Sequence, residues 1–401
     1  MQNKTFGSAL IVAGTTIGAG MVSMPLTSAG MGFGYTFILL VLLWGLLSYS
    51  ALLFVEVYQK AERPDAGIAT LAEQYFGMVG RVLSTLSLVV FMYAILTVYT
   101  LMSSNLISTV LPSLTEYGKE ISVVFTVFFG IFIVAGTGKV DLLTRLLFIA
   151  KLAALVMVLV LMLPQVSMDN LMALPLDKAL IISASPFFFT SFGFHVVIPS
   201  INAYLEGNIK RLRIAILAGT GLPLLVYVLW QMATHGVLSQ AEFVQILNQD
   251  PTLGGLIKAV NSITGSQIIG EVVRWFSLFA LITSFLGVAL ALFDCLDDLL
   301  QRVNVKAGRI SLGLLTFVPV LFFALFYTDF LSVLALAGQM FTFYGLVLPV
   351  GMAWRFRQLN PQASYRVIGG NFSLIIALLL GILIMMVPVL IDAGYLPKVV
   401  G

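Results

Sequence analysis

Charge is what this sequence has least of. Only 10% of its 401 residues are Asp, Glu, Lys or Arg, against about a quarter in a soluble domain. With 60% hydrophobic residues and a mean hydropathy of +1.05, the chain reads as a polytopic membrane protein whose main partner is the lipid bilayer. A single cysteine, Cys295, excludes an intrachain disulfide. The two histidines, His195 and His235, stand in no metal-ligand spacing, so neither a metal nor another cofactor is expected. A membrane enzyme would want His, Asp, Glu or Cys clustered at one interface, and no such cluster is written here. No Gly-x-x-x-x-Gly-Lys-[Ser/Thr] loop is present, which argues against ATP-driven pumping. A channel would want a polar stripe or charged ring along several spans, and a receptor reading has no feature of its own. The basic residues fall between apolar runs, where they mark topology rather than a nucleic-acid surface.

What is present is a series of apolar runs. A spanning helix needs about 20 of them in a row, and eleven stretches qualify: 6–33, 35–58, 82–111, 121–138, 142–163, 179–204, 213–236, 272–296, 310–327, 330–354 and 372–392. The first is too long for a signal-peptide core and is read as retained. Of the 21 Lys and Arg residues, Lys119, Lys178, Lys258, Arg274 and Lys398 fall on one set of faces and Lys151 inside a span; the other fifteen share the opposite set. The positive-inside bias then puts the N-terminus in the cytoplasm and the C-terminus outside. Residues 59–81 form an inner loop with a weakly amphipathic piece, Ile68 to Phe76. Residues 237–271 form an outer loop with short helices expected at Glu242 to Leu247 and Leu256 to Ile263.

Two of the spans are written as broken helices. The first contains Gly14-Thr15-Thr16-Ile17-Gly18-Ala19-Gly20, and glycine costs a helix about 0.8–1 kcal/mol relative to alanine. Close helix packing through small residues is one reading of such a run. The other is unwound backbone around a cavity, since lipid offers freed backbone groups no partner. The sixth span carries Phe187-Phe188-Phe189-Thr190-Ser191-Phe192-Gly193-Phe194-His195 between Pro186 and Pro199. The two broken spans are five apart, and an odd-numbered unit repeated once must insert with inverted topology. Interrupted helices in corresponding places of two inverted halves point to a transporter's central site. The expected repeats are 6–163 and 179–354, with 372–392 as an additional helix, all within a single transmembrane domain.

The half-helix beginning near Gly18 would present unpaired N–H groups and a partial positive charge, which suits a carboxylate. Unwound carbonyls around Thr15, Thr16, Phe189 and Thr190 suit an ammonium group. Together they fit a zwitterion, so an amino acid is the natural solute. Phe187, Phe188, Phe189, Phe192 and Phe194 would line a pocket for its side chain or serve only in helix packing. Lys151 sits mid-span, where a lysine costs a few kcal/mol and is rarely idle. Snorkelling to an interface is one reading; in the other it could substitute for a bound Na⁺ between the first, fifth and eighth spans, or titrate and carry a coupled proton. Thr283 and Ser284 place hydroxyls that could face it. His195 could bond the solute, relay a proton, or cap freed carbonyls. Tyr93, Tyr99, Gln339 and Tyr344 are further polar groups within reach of a cavity. His235 reads as interfacial, and Glu56, Asp294, Asp297 and Asp298 as gate pairs or solvated faces at inner helix ends.

At this point a resemblance enters. Gly-Thr-Thr-Ile-Gly-Ala-Gly-Met from Gly14, Thr-Ser-Phe-Gly-Phe-His from Thr190 with Val-Ile-Pro-Ser, Gly-Asn-Ile-Lys-Arg-Leu-Arg from Gly207, Ser-Phe-Leu-Gly-Val with Leu-Phe-Asp, and Tyr-Arg-Val-Ile-Gly-Gly from Tyr365 resemble the bacterial aromatic amino acid permeases. The likeness runs from about Lys4 to Pro397. It implies membership of the amino acid–polyamine–cation transporters, with a LeuT-like five-plus-five inverted repeat in an all-α fold of 11 transmembrane helices. It further implies symport of an aromatic amino acid, L-tyrosine first, with protons across the bacterial inner membrane. The alternatives are a tryptophan or broad-range aromatic permease, or Na⁺ coupling. In related proton-coupled members a fifth-helix lysine occupies the place of a sodium ion, and Lys151 matches it by helix and depth. Two departures bear on the pocket wall. Cys295-Leu296-Asp297-Asp298-Leu299 stands where the family pattern has Tyr-Leu-Ala-Asp-Leu, and Ala335-Leu336-Ala337-Gly338 where it has Gly-Tyr-Ala-Gly.

Overall fold

A run of Leu, Val, Ile, Phe and Ala placed in lipid satisfies its backbone by closing every hydrogen bond within the segment, and that means a helix. A computed structural model describes residues 4–327 and 329–399, and among them all regular structure is helical. Ten helical stretches are long and apolar enough to cross a membrane, against the eleven expected. The difference lies at the N-terminus. The helix α1 (Lys4–Thr16) has 13 residues, too few to span alone. Beyond it, α2 (Ala19–Ser28) and α3 (Gly32–Tyr58) run together as one 40-residue stretch, Ala19–Tyr58. Forty helical residues would measure about 60 Å, twice the hydrocarbon thickness. The stretch is divided by a 3₁₀ turn, Ala29–Met31, and by Gly32 at φ 73°, a conformation that glycine adopts without a Cβ clash.

Two four-residue turns, Met168–Leu171 and Leu180–Ser183, precede the break in the sixth span. The remaining helices of seven residues or more follow the apolar pattern. They are α4 (Ile68–Val110), α5 (Gly118–Ala135), α6 (Thr137–Met162), α7 (Ser185–Ser191), α8 (Ile198–Tyr204) and α9 (Ile209–Val237). Then come α10 (Gln240–Gln249), α11 (Leu253–Thr264), α12 (Gln267–Arg302), α13 (Arg309–Phe326), α14 (Phe330–Thr342), a π-helical turn Phe343–Val347, α15 (Leu348–Leu359) and α16 (Gly370–Asp392). The amphipathic piece expected before the third span is the first turns of α4, bent away at Gly77 (φ 63°). The two short helices expected within residues 237–271 are α10 and α11, each a turn longer than the sequence suggested.

The prolines of the sixth span do not kink helices. Pro186 and Pro199 sit in the first turns of α7 and α8, where a missing N–H costs nothing. The core lies where α12 packs on α6 and α4, α14 on α4 and α7, and α9 on α1 and α3. Outward faces keep Leu42, Val124, Val160 and Leu379 exposed. In water each would waste about 1.5–3 kcal/mol of burial energy; in lipid they cost nothing.

Polar ties gather at the end of the bundle where α1 begins. Glu56 of α3 is fully buried and receives two bonds from Arg357 of α15, at 2.6 and 2.9 Å, and a third from the Val367 amide at 2.9 Å. Gln59 bonds the backbone N–H and C=O of Tyr365, whose ring lies under the Arg213 guanidinium at 4.3 Å. Burial pushes the Tyr365 hydroxyl pKa up, and the Arg213 charge partly offsets that. Lys4 bonds Glu206 at 2.6 Å and holds its carboxyl below the usual range through that hydrogen bond first and its charge second.

Candidate functional site

Backbone that leaves a helix needs other partners. At the first interruption they are side chains from three other helices. The Thr15 and Thr16 hydroxyls bond back to Ile11 O (2.8 Å) and Val12 O (2.7 Å), and Ile17 N still donates to Ala13 O (2.9 Å). Gly18 is extended, at φ −146° and ψ −160°. From there the chain is held from outside. Lys151 Nζ on α6 donates to Ile17 O at 2.7 Å. The Ala19 amide donates to Ser284 Oγ on α12 at 2.9 Å. Tyr227 OH on α9 lies 2.7 Å from Thr16 O and 2.8 Å from Ser191 O, which ties the first interruption to the second. A hydroxyl carries one proton, so it serves one of those carbonyls at a time.

Lys151 is 2% exposed. Its Nζ lies 3.4 Å from Thr283 Oγ1 and 4.7 Å from the Phe148 ring centroid. Among the described residues no carboxylate pairs with it. A carbonyl, a hydroxyl and an aromatic face therefore stabilise its ammonium.

Between these helices lies a cavity of about 980 Å³, large enough for an amino acid. Gly14, Thr15, Thr16, Ile17, Gly18, Ala19 and Gly20 all line it. So do Tyr99, Lys151, Thr190, Ser191, Gly193, Thr283 and Ser284. The backbone approaches closely here: a Cβ on Gly18 would stand 2.5 Å from Ser284 Oγ, and one on Gly20 2.9 Å from Ser191 Oγ. The Ala19 and Met21 amides are taken, by Ser284 and by Gly18 O at 3.2 Å. Among the described residues no partner takes the Gly18 and Gly20 amides, which remain as donors at the start of α2.

The other expected residues lie behind the wall. Phe188, Phe189 and Phe192 are at most 1% exposed. Phe189 packs on Phe341 and Phe192 on Tyr227, with ring centroids 5.2 and 5.0 Å apart. α7 presses against α2, α3 and α14, so its rings fill helix interfaces. Tyr93 donates to Leu315 O at 2.8 Å and Gln339 to Met385 O at 2.8 Å. Tyr344 is buried at 2% exposure, on the π turn. His195 is fully buried one ring behind the wall. His235 is buried in the last turn of α9, its Nε2 2.9 Å from Ser28 Oγ.

The rings that do face the cavity are Phe91, Tyr99, Phe148 and Phe341. Sequence reasoning took only Tyr99. Helical spacing could have found two more. Phe91, Ile95 and Tyr99 repeat every four residues along one face of α4, while Tyr93 is turned some 200° from Phe91. Thr144, Phe148 and Lys151 share a face of α6 in the same way.

A bundle of apolar helices, two of them interrupted around a solute-sized cavity, has the construction of a membrane carrier. The chain belongs to the tryptophan/tyrosine permease family, whose model matches residues 1–388. It is 58% identical to tyrosine-specific transport system 1 of Haemophilus influenzae and 57% identical to tyrosine-specific transport system 2 of that organism, with all of each chain covered. Glutamine transporter 2 of Aliivibrio fischeri is 32% identical, over 96% of this chain and 99% of that protein. The protein is a permease, not an enzyme.

Proposed function

We propose that this chain is a secondary active transporter that imports L-tyrosine with protons across the bacterial inner membrane. The observation that carries the reading is the composition of the cavity wall. The free Gly18 and Gly20 amides at a helix start suit a carboxylate, and the Thr16 and Ser191 carbonyls, which share one hydroxyl, suit an ammonium. Phe91, Tyr99, Phe148 and Phe341 supply rings for an aromatic side chain. Tyrosine is the substrate named for the two relatives that match end to end.

Eleven crossings follow if α1 and α2 together make the first and α3 the second. The first ten then form two inverted five-helix repeats and α16 stands apart. The Lys/Arg bias puts α1 on the cytoplasmic side. The cavity runs from the interruptions toward Leu10, Ile11 and Arg145, the N-terminal side of the bundle. On the other side Trp230 Nε1 bonds Met21 O at 3.0 Å and α11 packs on α2 and α4. That asymmetry corresponds to an inward-facing carrier. The ammonium of Lys151 occupies the space beside Ile17 O where a coupling cation would sit, which favours the proton.

The test is uptake of radiolabelled tyrosine into proteoliposomes under an imposed pH gradient or an imposed Na⁺ gradient, with tryptophan, phenylalanine and leucine as competitors. Uptake driven by the pH gradient and competed best by tyrosine is expected. Uptake that requires Na⁺ overturns the coupling, and equal competition by all aromatics overturns the narrow substrate.

A further inference from the structure

His195 is a buried polar group that nothing in its surroundings explains. It is fully inaccessible, and both ring nitrogens lack a hydrogen-bond partner. Such a group costs about 1–3 kcal/mol, and each one in a native structure calls for a reason. A bridging water needs two or more polar partners. The groups packed on this imidazole are instead the rings of Phe54, Phe194 and Phe341, at centroid distances of 6.0, 4.7 and 5.5 Å.

Phe341 lines the cavity, so a single ring separates the imidazole from it. That ring is flanked by two glycines, with no side chain between it and their backbone. Its edge borders Gly193, where a Cβ would lie 3.5 Å away, and Gly345, where a Cβ would come within 2.9 Å. The helix bearing it passes within two residues into the π-helical turn Phe343–Val347. Single π turns within α-helices concentrate at functional sites.

We propose that His195 is a specificity-determining residue, which hydrogen-bonds the phenol hydroxyl of bound tyrosine when Phe341 turns aside. This rests on the transport reading above. A neutral imidazole offers one donor and one acceptor, and a phenol hydroxyl answers either. Phenylalanine carries no group to meet it and leaves the imidazole unpaired, so the site discriminates between the two amino acids by the means that work best in buried sites.

The test measures competition constants for tyrosine and phenylalanine in proteoliposomes holding the unaltered protein, His195→Leu or His195→Gln. The unaltered protein must first take up tyrosine; if it does not, the transport reading fails and not this one. His195→Leu is expected to lower the preference for tyrosine over phenylalanine about ten-fold, the worth of one hydrogen bond in a buried site, with phenylalanine handled as before. His195→Gln keeps a donor and an acceptor and should restore part of the preference. An unchanged ratio in His195→Leu overturns the proposal. Loss of both substrates in both variants also overturns it, because a residue that reads only the hydroxyl leaves phenylalanine untouched.

Discussion

Gly18→Ala puts a methyl carbon 2.5 Å from Ser284 Oγ and 3.7 Å from Ser284 Cβ. The backbone does not object, since φ −146° and ψ −160° are extended and open to any residue. The whole penalty falls on the serine hydroxyl, which must leave and give up its bond from the Ala19 amide. A hydrogen bond is worth about 1 kcal/mol net, and an off-rotamer side chain costs about 0.5–1.5 kcal/mol. The single variant should therefore lose about 1.5–2.5 kcal/mol of stability. Ser284→Ala alone should lose about 1 kcal/mol, for the same bond. In the double variant the nearest remaining Ser284 atom is the Cβ, at an ordinary van der Waals distance. Its cost should be about 1 kcal/mol, well below the sum of the two. Independent sites add to within about 0.3–0.5 kcal/mol, so the expected coupling of about 1.5–2.5 kcal/mol, worked from the net worth of one hydrogen bond and one off-rotamer side chain, is measurable. Denaturant titration of the four proteins in mixed micelles, without substrate, reads it directly. Additive losses would refute the close approach of Gly18 to Ser284 and with it the geometry of the interruption.

Three further outcomes are expected. Lys151→Ala should abolish tyrosine accumulation driven by a pH gradient; full concentrative uptake by that variant would remove the lysine from coupling. Arg357→Met leaves the buried Glu56 carboxylate with the Val367 amide alone, and breaking a buried pair costs about 3–5 kcal/mol. Adding Glu56→Gln should recover part of that loss in the same titration, and no recovery would mean that the pair is not what holds α3 to α15. The Glu206 carboxyl titrates below its ordinary range because of Lys4. A lowered carboxylate contributes above its unfolded value and gives way only as pH falls through the folded one. Glu206→Gln should therefore leave the shape of the uptake profile between pH 6 and 8 unchanged, and a shifted profile would contradict this pairing.

The positions of the helices were legible because lipid leaves the backbone no alternative to pairing within the segment. Apolar runs, two clusters of helix breakers and a lone mid-span lysine were enough to place residues 14–20, Thr190, Ser191 and Lys151 around one cavity. What could not be read was which way a side chain points on a helix that is apolar all round. Phe188, Phe189 and Phe192 adjoin the break, yet they fill contacts with α2, α14 and Tyr227, whereas Phe341, from a distant helix, reaches the cavity. In water, a helix with one apolar and one polar face declares which side is inside. In a bilayer both faces are apolar and that signal vanishes. Tyr227 had no signal at all, because its role depends on a second carbonyl contributed by residue 191.

The three side chains at the first interruption also bear on the proposed link between substrate and proton. Lys151, Tyr227 and Ser284 stand on three different helices, and each takes one backbone group between residues 16 and 19. On the proposed binding mode a zwitterion entering the cavity meets the same stretch: its carboxylate the Gly18 and Gly20 amides, its ammonium the Thr16 carbonyl, for which it competes with Tyr227. The bond to Thr16 O replaces one that it breaks, so its net gain stays near the small difference between similar hydrogen bonds. That suits a carrier, which must release what it binds. Lys151 acts on the same few residues. A charged ammonium makes a hydrogen bond to a carbonyl about twice as strong as a neutral amine does. Loss of its proton would loosen Ile17, the neighbour of Gly18, and so disturb the donors that hold the carboxylate. On the proposed mechanism, proton and substrate are thus coupled through the four residues from Thr16 to Ala19 that flank and form the interruption, with no longer pathway required.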